Sequence, residues 1–187
     1  MRNVAINTVH KSVVRVALAT AFILLLPLLA MQFTDEVVWD LADFAVAGAL
    51  LIGAGLTYEL AARKAGNIAY RAAIGVALMA ALLLFWVNGA VGIIGDARND
   101  ANMLYLGVLV VGIIGGFIPR FQPRGMAIAL FATAAAQVLV AVIALIADLG
   151  TSGPIWPRDI MLATGFFTAL WIGSAWLFRH AAHGLEP

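Results

Sequence analysis

Apolar residues run in six long blocks along the chain, and polar residues collect in the gaps between them. A helix needs about 20 apolar residues to cross the hydrocarbon core of a bilayer. The blocks at 13–33, 37–62, 71–94, 103–118, 126–147 and 160–178 meet or approach that length. The pattern predicts an all-α integral membrane protein, a bundle of six transmembrane helices forming a single transmembrane domain over 1–187. The fourth block is the shortest, bounded by Asn102 and Pro119. The first follows Arg2, Lys11 and Arg15 as a secretory leader would, but Leu28-Leu29-Ala30 fits the small-residue pattern of a cleavage site poorly. It is expected to stay as an uncleaved helix, kinked near Pro27.

The polar gaps predict a topology. With the N-terminus inside and alternating helices, nine bases fall inside (Arg2, Lys11, Arg15, Arg63, Lys64, Arg71, Arg120, Arg124, Arg179) and two outside (Arg98, Arg158). That asymmetry obeys the positive-inside rule. Eight of the ten acids fall outside, leaving Glu59 and Glu186 inside. The expectation is a multi-pass protein of the bacterial inner (plasma) membrane with both termini cytoplasmic. Trp39, Tyr105 and Trp156 fall near the expected outer interface and Tyr58, Tyr70 and Trp176 near the inner one, where amphipathic rings prefer to sit.

Three helical hairpins in pseudo-repeat are also suggested. Asp40, Asp100 and Asp159 each precede an inward-running block at steps of 60 and 59 residues, and Arg63, Arg120 and Arg179 end those blocks at steps of 57 and 59. Small residues at four-residue spacing (Ala45, Ala49, Gly53 and Thr57; Gly112 and Gly116; Ala132 and Ala136; Gly165, Ala169 and Gly173) fit close helix packing.

Composition agrees with a lipid solvent. Hydrophobic residues make up 64% of the chain and charged residues 11%, against roughly 25% charged in soluble domains. The net charge of +1 and the lack of a basic patch argue against a nucleic-acid partner. With no cysteine, disulfides, thiol catalysis and cysteine metal sites are excluded. The three histidines lie outside the blocks, so a bis-histidine haem inside the bilayer is excluded and no cofactor is expected. No catalytic triad, HExxH, Walker loop or GxGxxG is present, so no catalytic residue is assigned. The segment 95–102 alternates oxygen donors but lacks the EF-hand spacing, so it is expected to be a polar turn with helix capping from Asp100 or Asn102 rather than a metal site.

The polar residues near or inside the blocks are the functional candidates. Glu36, Asp40 and Asp43, spaced i, i+4 and i+7, are expected on one helix face as an acidic stripe for a cation or proton. The alternative is helix-end placement and ion pairing, with Arg98 and Arg158 as partners of the stripe or of Asp96, Asp100 and Asp159. Asn88 and Gln137 are deep amides, suited to inter-helix hydrogen bonds or to a polar pathway. Glu59 has Arg63 at i+4 as a ready partner.

Three functions stay open. The chain is a cation, proton or small-solute transporter or channel; or a non-catalytic accessory protein that binds lipid or a partner membrane subunit, or self-associates; or a membrane enzyme acting on a lipid-like substrate. Membrane lipids are the expected partners in each.

Overall fold

The computed structural model describes residues 2–64, 67–151, 153 and 155–183. Those residues form six helices long and apolar enough to cross a membrane, and no strand occurs among them. The helices are α1 (Arg2–Phe33), α2 (Leu41–Lys64), α3 (Ile68–Ala90), α4 (Leu104–Phe117), α5 (Pro123–Ile146) and α6 (Arg158–His183), with a 3-10 turn at Asp100–Met103 before α4. The chain divides into two compact units, Met1–Arg63 and Lys64–Pro187.

Local chemistry decides where the helices start and stop. The second helix begins four residues later than the apolar pattern suggests, because Asp40 caps it. The Asp40 carboxylate accepts from the Asp43 amide at 2.9 Å, and the Asp43 carboxylate accepts from the Asp40 amide at 2.9 Å. This reciprocal box satisfies two otherwise orphaned donors. α3 starts at Asn67, whose side chain accepts from the Tyr70 amide at 2.9 Å. It stops at Ala90 rather than near residue 94, since Gly92 turns left-handed at φ 78°. Pro123 opens α5, where a missing N–H is harmless. α5 ends with Asp148 left-handed at φ 50° and the Leu149 amide donating to the Ala144 carbonyl at 2.8 Å, the six-to-one bond of a Schellman stop.

In the first unit, a polar knot joins α1 and α2. Ser12 is buried and donates to the Glu59 carboxylate at 2.7 Å, and it accepts from Arg15 and Arg63 at 3.1 and 2.9 Å. Arg15 also pairs with Glu59 at 3.2 Å. The ion pair of Glu59 thus reaches across to Arg15 of α1, and Arg63, its expected partner at i+4, donates to the same Ser12 hydroxyl. Gly55 lets Val16 approach, where a Cβ would meet a Val16 methyl at 2.7 Å.

In the second unit, α6 packs against α3 and α5, and α5 packs against α4 and α6, while α3 and α4 touch more sparsely. α5 is the most buried helix of the chain. Its contact with α4 is built on glycine: a Cβ at Gly115 would lie 2.8 Å from the Ala129 Cβ, and one at Gly112 would lie 3.3 Å from the Thr133 hydroxyl. Close backbone approach is the main packing device available to helices in lipid. α3 and α6 are tied by polar bonds. Ser174 donates to the Ala73 carbonyl at 2.7 Å, and Asn67 donates to the Ala181 carbonyl at 3.1 Å. Tyr70 stacks edge-on against Phe178 at 5.0 Å and donates to the Phe121 carbonyl at 2.7 Å.

Candidate functional site

The second unit has two ends of different chemistry. At the end where α3 and α5 finish and α4 and α6 begin, the chain folds around Asn102. Its side-chain oxygen accepts from the amides of Ile93 and Ile94, both at 2.9 Å. Its side-chain nitrogen donates to the carbonyls of Ile94 and Asp96 at 3.3 and 2.7 Å. Its own carbonyl accepts from Asn88 at 3.0 Å. Ile93, Ile94 and Asn102 are all buried, so a loop that leaves helix geometry keeps its backbone donors satisfied without water. The cap expected from Asp100 or Asn102 is supplied by Asn99, which accepts from the Ala101 amide at 3.0 Å, and the Asn102 side chain bonds the preceding loop instead.

Glycines lock this loop to the α5–α6 connection. Gly95 and Gly150 are left-handed at φ 76° and 87°, and a Cβ on Gly150 would sit 2.7 Å from the Gly95 nitrogen. One on Gly153 would sit 3.1 Å from the Gly95 Cα. Backbone therefore lies on backbone, and this end of the unit is held by main chain.

The unit also carries buried polar atoms for which the described residues supply no other hydrogen-bond partner. They are the Asn88 carbonyl oxygen, both amide atoms of Gln137, the Thr168 hydroxyl, and the indole nitrogens of Trp156 and Trp171, while the Tyr105 and Thr164 hydroxyls have only each other. All lie in the second unit. Thr164, Thr168 and Trp171 follow i, i+4, i+7 and so share one face of α6. Tyr105 and Gln137 have no exposed surface at all. The Tyr105 hydroxyl faces Thr164 and lies within electrostatic reach of Asp159. The helical rise of 1.5 Å places Thr164 and Thr168 about 9 and 15 Å into α6, and Gln137 about 14 Å back from the end of antiparallel α5. The amide of Gln137 is thus level with the two threonines. Buried polar groups without partners are rare, and in hydrocarbon each costs several kcal/mol.

The sequence candidates distribute unevenly over this picture. Glu36 precedes α2, is exposed, and its backbone amide donates to the Thr34 hydroxyl at 3.1 Å. The three carboxylates therefore do not share a helix face. Asp40 and Asp43 are exposed and engaged in the capping box. Asn88 and Gln137 are both among the buried polar residues with unmatched atoms, Asn88 through its oxygen and Gln137 through both amide atoms. Asp96 accepts from the Arg98 amide at 2.8 Å, and Asp159 accepts from the Ile160 amide at 2.8 Å. Asp100 opens the 3-10 turn. Among the described residues of this unit no ion pair joins Arg98 or Arg158 to these three acids. Tyr105 and Tyr70 lie in the first turns of α4 and α3 and are buried against the protein, whereas Trp176 is well exposed and lies 5.5 Å from the Arg179 guanidinium.

Asn102, Tyr105, Thr164, Thr168 and Trp171 were not legible as site residues from charge. The α6 triplet carries a usable signal, the same i, i+4, i+7 spacing that drew attention to Glu36, Asp40 and Asp43. Among the described residues no group of three or more His, Cys, Asp or Glu side chains is placed to hold a metal. No family model, no curated protein and no solved structure matches this chain.

Proposed function

We propose that the chain is a small-solute transporter or channel, and that α3–α6 take a small uncharged polar molecule, or water, into their interior. The observation that carries this reading is Gln137: fully buried, mid-span, with both its donor and its acceptor unmatched by protein. An amide kept at that depth is expensive unless a guest with complementary donors and acceptors satisfies it. Thr164, Thr168, Tyr105 and the Trp171 indole extend the same uncharged chemistry along the unit. The line itself contains no ionised side chain, and a bare cation would need charged or densely packed carbonyl ligands to replace its water. A neutral solute therefore fits better than the proton or metal ion that the acidic stripe first suggested.

In this reading both termini face the cytoplasm of a bacterium and the Asn102 end faces outward, as the excess of bases on the opposite side favours. A threefold repeat of hairpins has no part in it, since α5 and α6 pack along their length and α3 and α4 do not. A second reading, an accessory protein that binds lipid or a partner membrane subunit, is favoured by one observation: α1 and α2 are the least buried spans.

Reconstituted vesicles separate the two. Stopped-flow light scattering after osmotic shock with glycerol, urea or a small amide measures solute entry directly. Entry faster than in protein-free vesicles, and slowed several-fold by Gln137→Leu, supports transport. Rates equal to those of protein-free vesicles for every solute and for water overturn it and leave the accessory reading.

A further inference from the structure

At the opposite end of the second unit, α5 begins and α6 finishes around a cleft of about 350 Å³ lined by Arg124, Ala127, Ile128, Phe131, Arg179, Ala182 and His183. The four α5 residues follow i, i+3, i+4, i+7 and the three α6 residues follow i, i+3, i+4, so one face of each helix forms a wall. The cleft is amphiphilic by depth. Arg124 is the second residue of α5, and Arg179 and His183 fall in the last turns of α6, which puts the cations at the helix ends. Ile128 and Phe131 lie about 6 and 10 Å further along α5, at the level of acyl chain, and Ile128 is widely exposed.

Charge points to one class of occupant. Around this end the unit presents Arg71, Arg120, Arg124 and Arg179, and its described acids, Asp96, Asp100, Asp148 and Asp159, all lie at the Asn102 end. The start of α5 adds the positive end of a 24-residue helix dipole. Basic pockets between membrane helices suit phosphate headgroups, and an apolar wall beneath suits the attached chain.

We propose that this cleft is a binding site for an anionic phospholipid, its phosphate held by Arg124 and Arg179 with His183 beside them, and its acyl chain laid on Ile128 and Phe131. The site is separate from the Gln137 line and stands whether or not a solute is carried.

Detergent-purified protein is titrated with phosphatidylglycerol, with phosphatidylcholine and with inorganic phosphate, and lipid retention is read by native mass spectrometry alongside melting temperature. The expected result is an about 30-fold preference for phosphatidylglycerol over phosphatidylcholine, the effect of two guanidiniums near an anionic headgroup. Inorganic phosphate should give no comparable stabilisation, because it leaves the apolar wall unused. Arg124→Gln with Arg179→Gln should abolish the preference, and Arg158→Gln at the other end should leave it intact. Equal retention of the two lipids by the wild-type protein overturns the proposal without recourse to any variant. So does a preference that survives the double substitution, or stabilisation matched by phosphate alone.

Discussion

Replacing Asn102 with alanine tests the loop architecture most sharply. The substitution removes the acceptor for two amides, Ile93 and Ile94, whose residues are 2% and 0% exposed. Each buried donor left unmatched costs about 1–3 kcal/mol, so the pair amounts to about 2–6 kcal/mol. The carbonyls of Ile94 and Asp96 also lose a donor, at smaller cost because under-satisfied carbonyls are better tolerated. Asn99→Ala provides the scale: it removes one capping bond to the partly exposed Ala101 amide and should cost about 1 kcal/mol. Chemical unfolding in mixed micelles measures both, and hydrogen exchange at Ile93 and Ile94 locates the damage. Asn102→Ala should destabilise at least twice as much as Asn99→Ala, and the two isoleucine amides should exchange faster while α6 amides keep their protection. Equal losses for the two variants, or unchanged exchange at Ile93 and Ile94, would refute the assignment of Asn102 as the centre of the loop.

Other substitutions separate the packing devices. Gln137→Leu should leave the solute-free melting temperature unchanged or raise it, because it removes two unmatched buried atoms; a drop of the size seen for a bonded inter-helix amide, about 0.6 kcal/mol, would show that Gln137 has a protein partner after all. Gly150→Ala should cost about 1–2 kcal/mol for its left-handed backbone alone, with the 2.7 Å approach to Gly95 adding to it, which thermal unfolding will report. Gly115→Ala should weaken the α4–α5 contact by about 1–3 kcal/mol, while Gly107→Ala, where an added Cβ meets nothing within 4 Å, should be neutral or stabilising in the same assay. Ser12→Ala should destabilise the first unit more than Arg15→Ala, since the Ser12 hydroxyl joins Glu59, Arg15 and Arg63 whereas the Arg15 side chain is 66% exposed and its ion pair is correspondingly weak.

The spans were legible because crossing a bilayer imposes a length and a composition that short polar gaps punctuate. Their ends were not, because they depend on single side chains: Asp40 as a cap moves the start of α2, and Gly92 as a left-handed residue moves the end of α3. The site was legible only in part. Asn88 and Gln137 stood out as amides in apolar surroundings, and the structure sorts them, giving Asn88 a backbone partner through its nitrogen and leaving Gln137 without one. The carboxylates drew attention because charge is conspicuous, yet Asp40 and Asp43 satisfy each other's backbone at a helix end. Asn102 was read as a cap because capping follows from local sequence, whereas its actual bonds run to residues six and eight to nine positions earlier through a loop whose path is set by Gly92 and Gly95. Thr164, Thr168 and Trp171 stayed hidden because hydroxyl and indole groups are ordinary in membrane helices, where a backbone carbonyl usually takes the proton.

The claim that the interior of α3–α6 admits a polar guest meets its most direct test in cysteine accessibility. The chain has no cysteine, so Thr168→Cys supplies a single thiol at the level of Gln137, and Leu139→Cys supplies one on a widely exposed apolar face of α5. A thiol reacts as the thiolate, which forms in water and not in hydrocarbon. In proteoliposomes a small, uncharged methanethiosulfonate reagent should modify Thr168→Cys, with protection by any solute that enters, and should leave Leu139→Cys, whose thiol stays protonated in hydrocarbon, untouched. If Thr168→Cys proves as inert as Leu139→Cys, the interior is dry and the account of a solute path is contradicted.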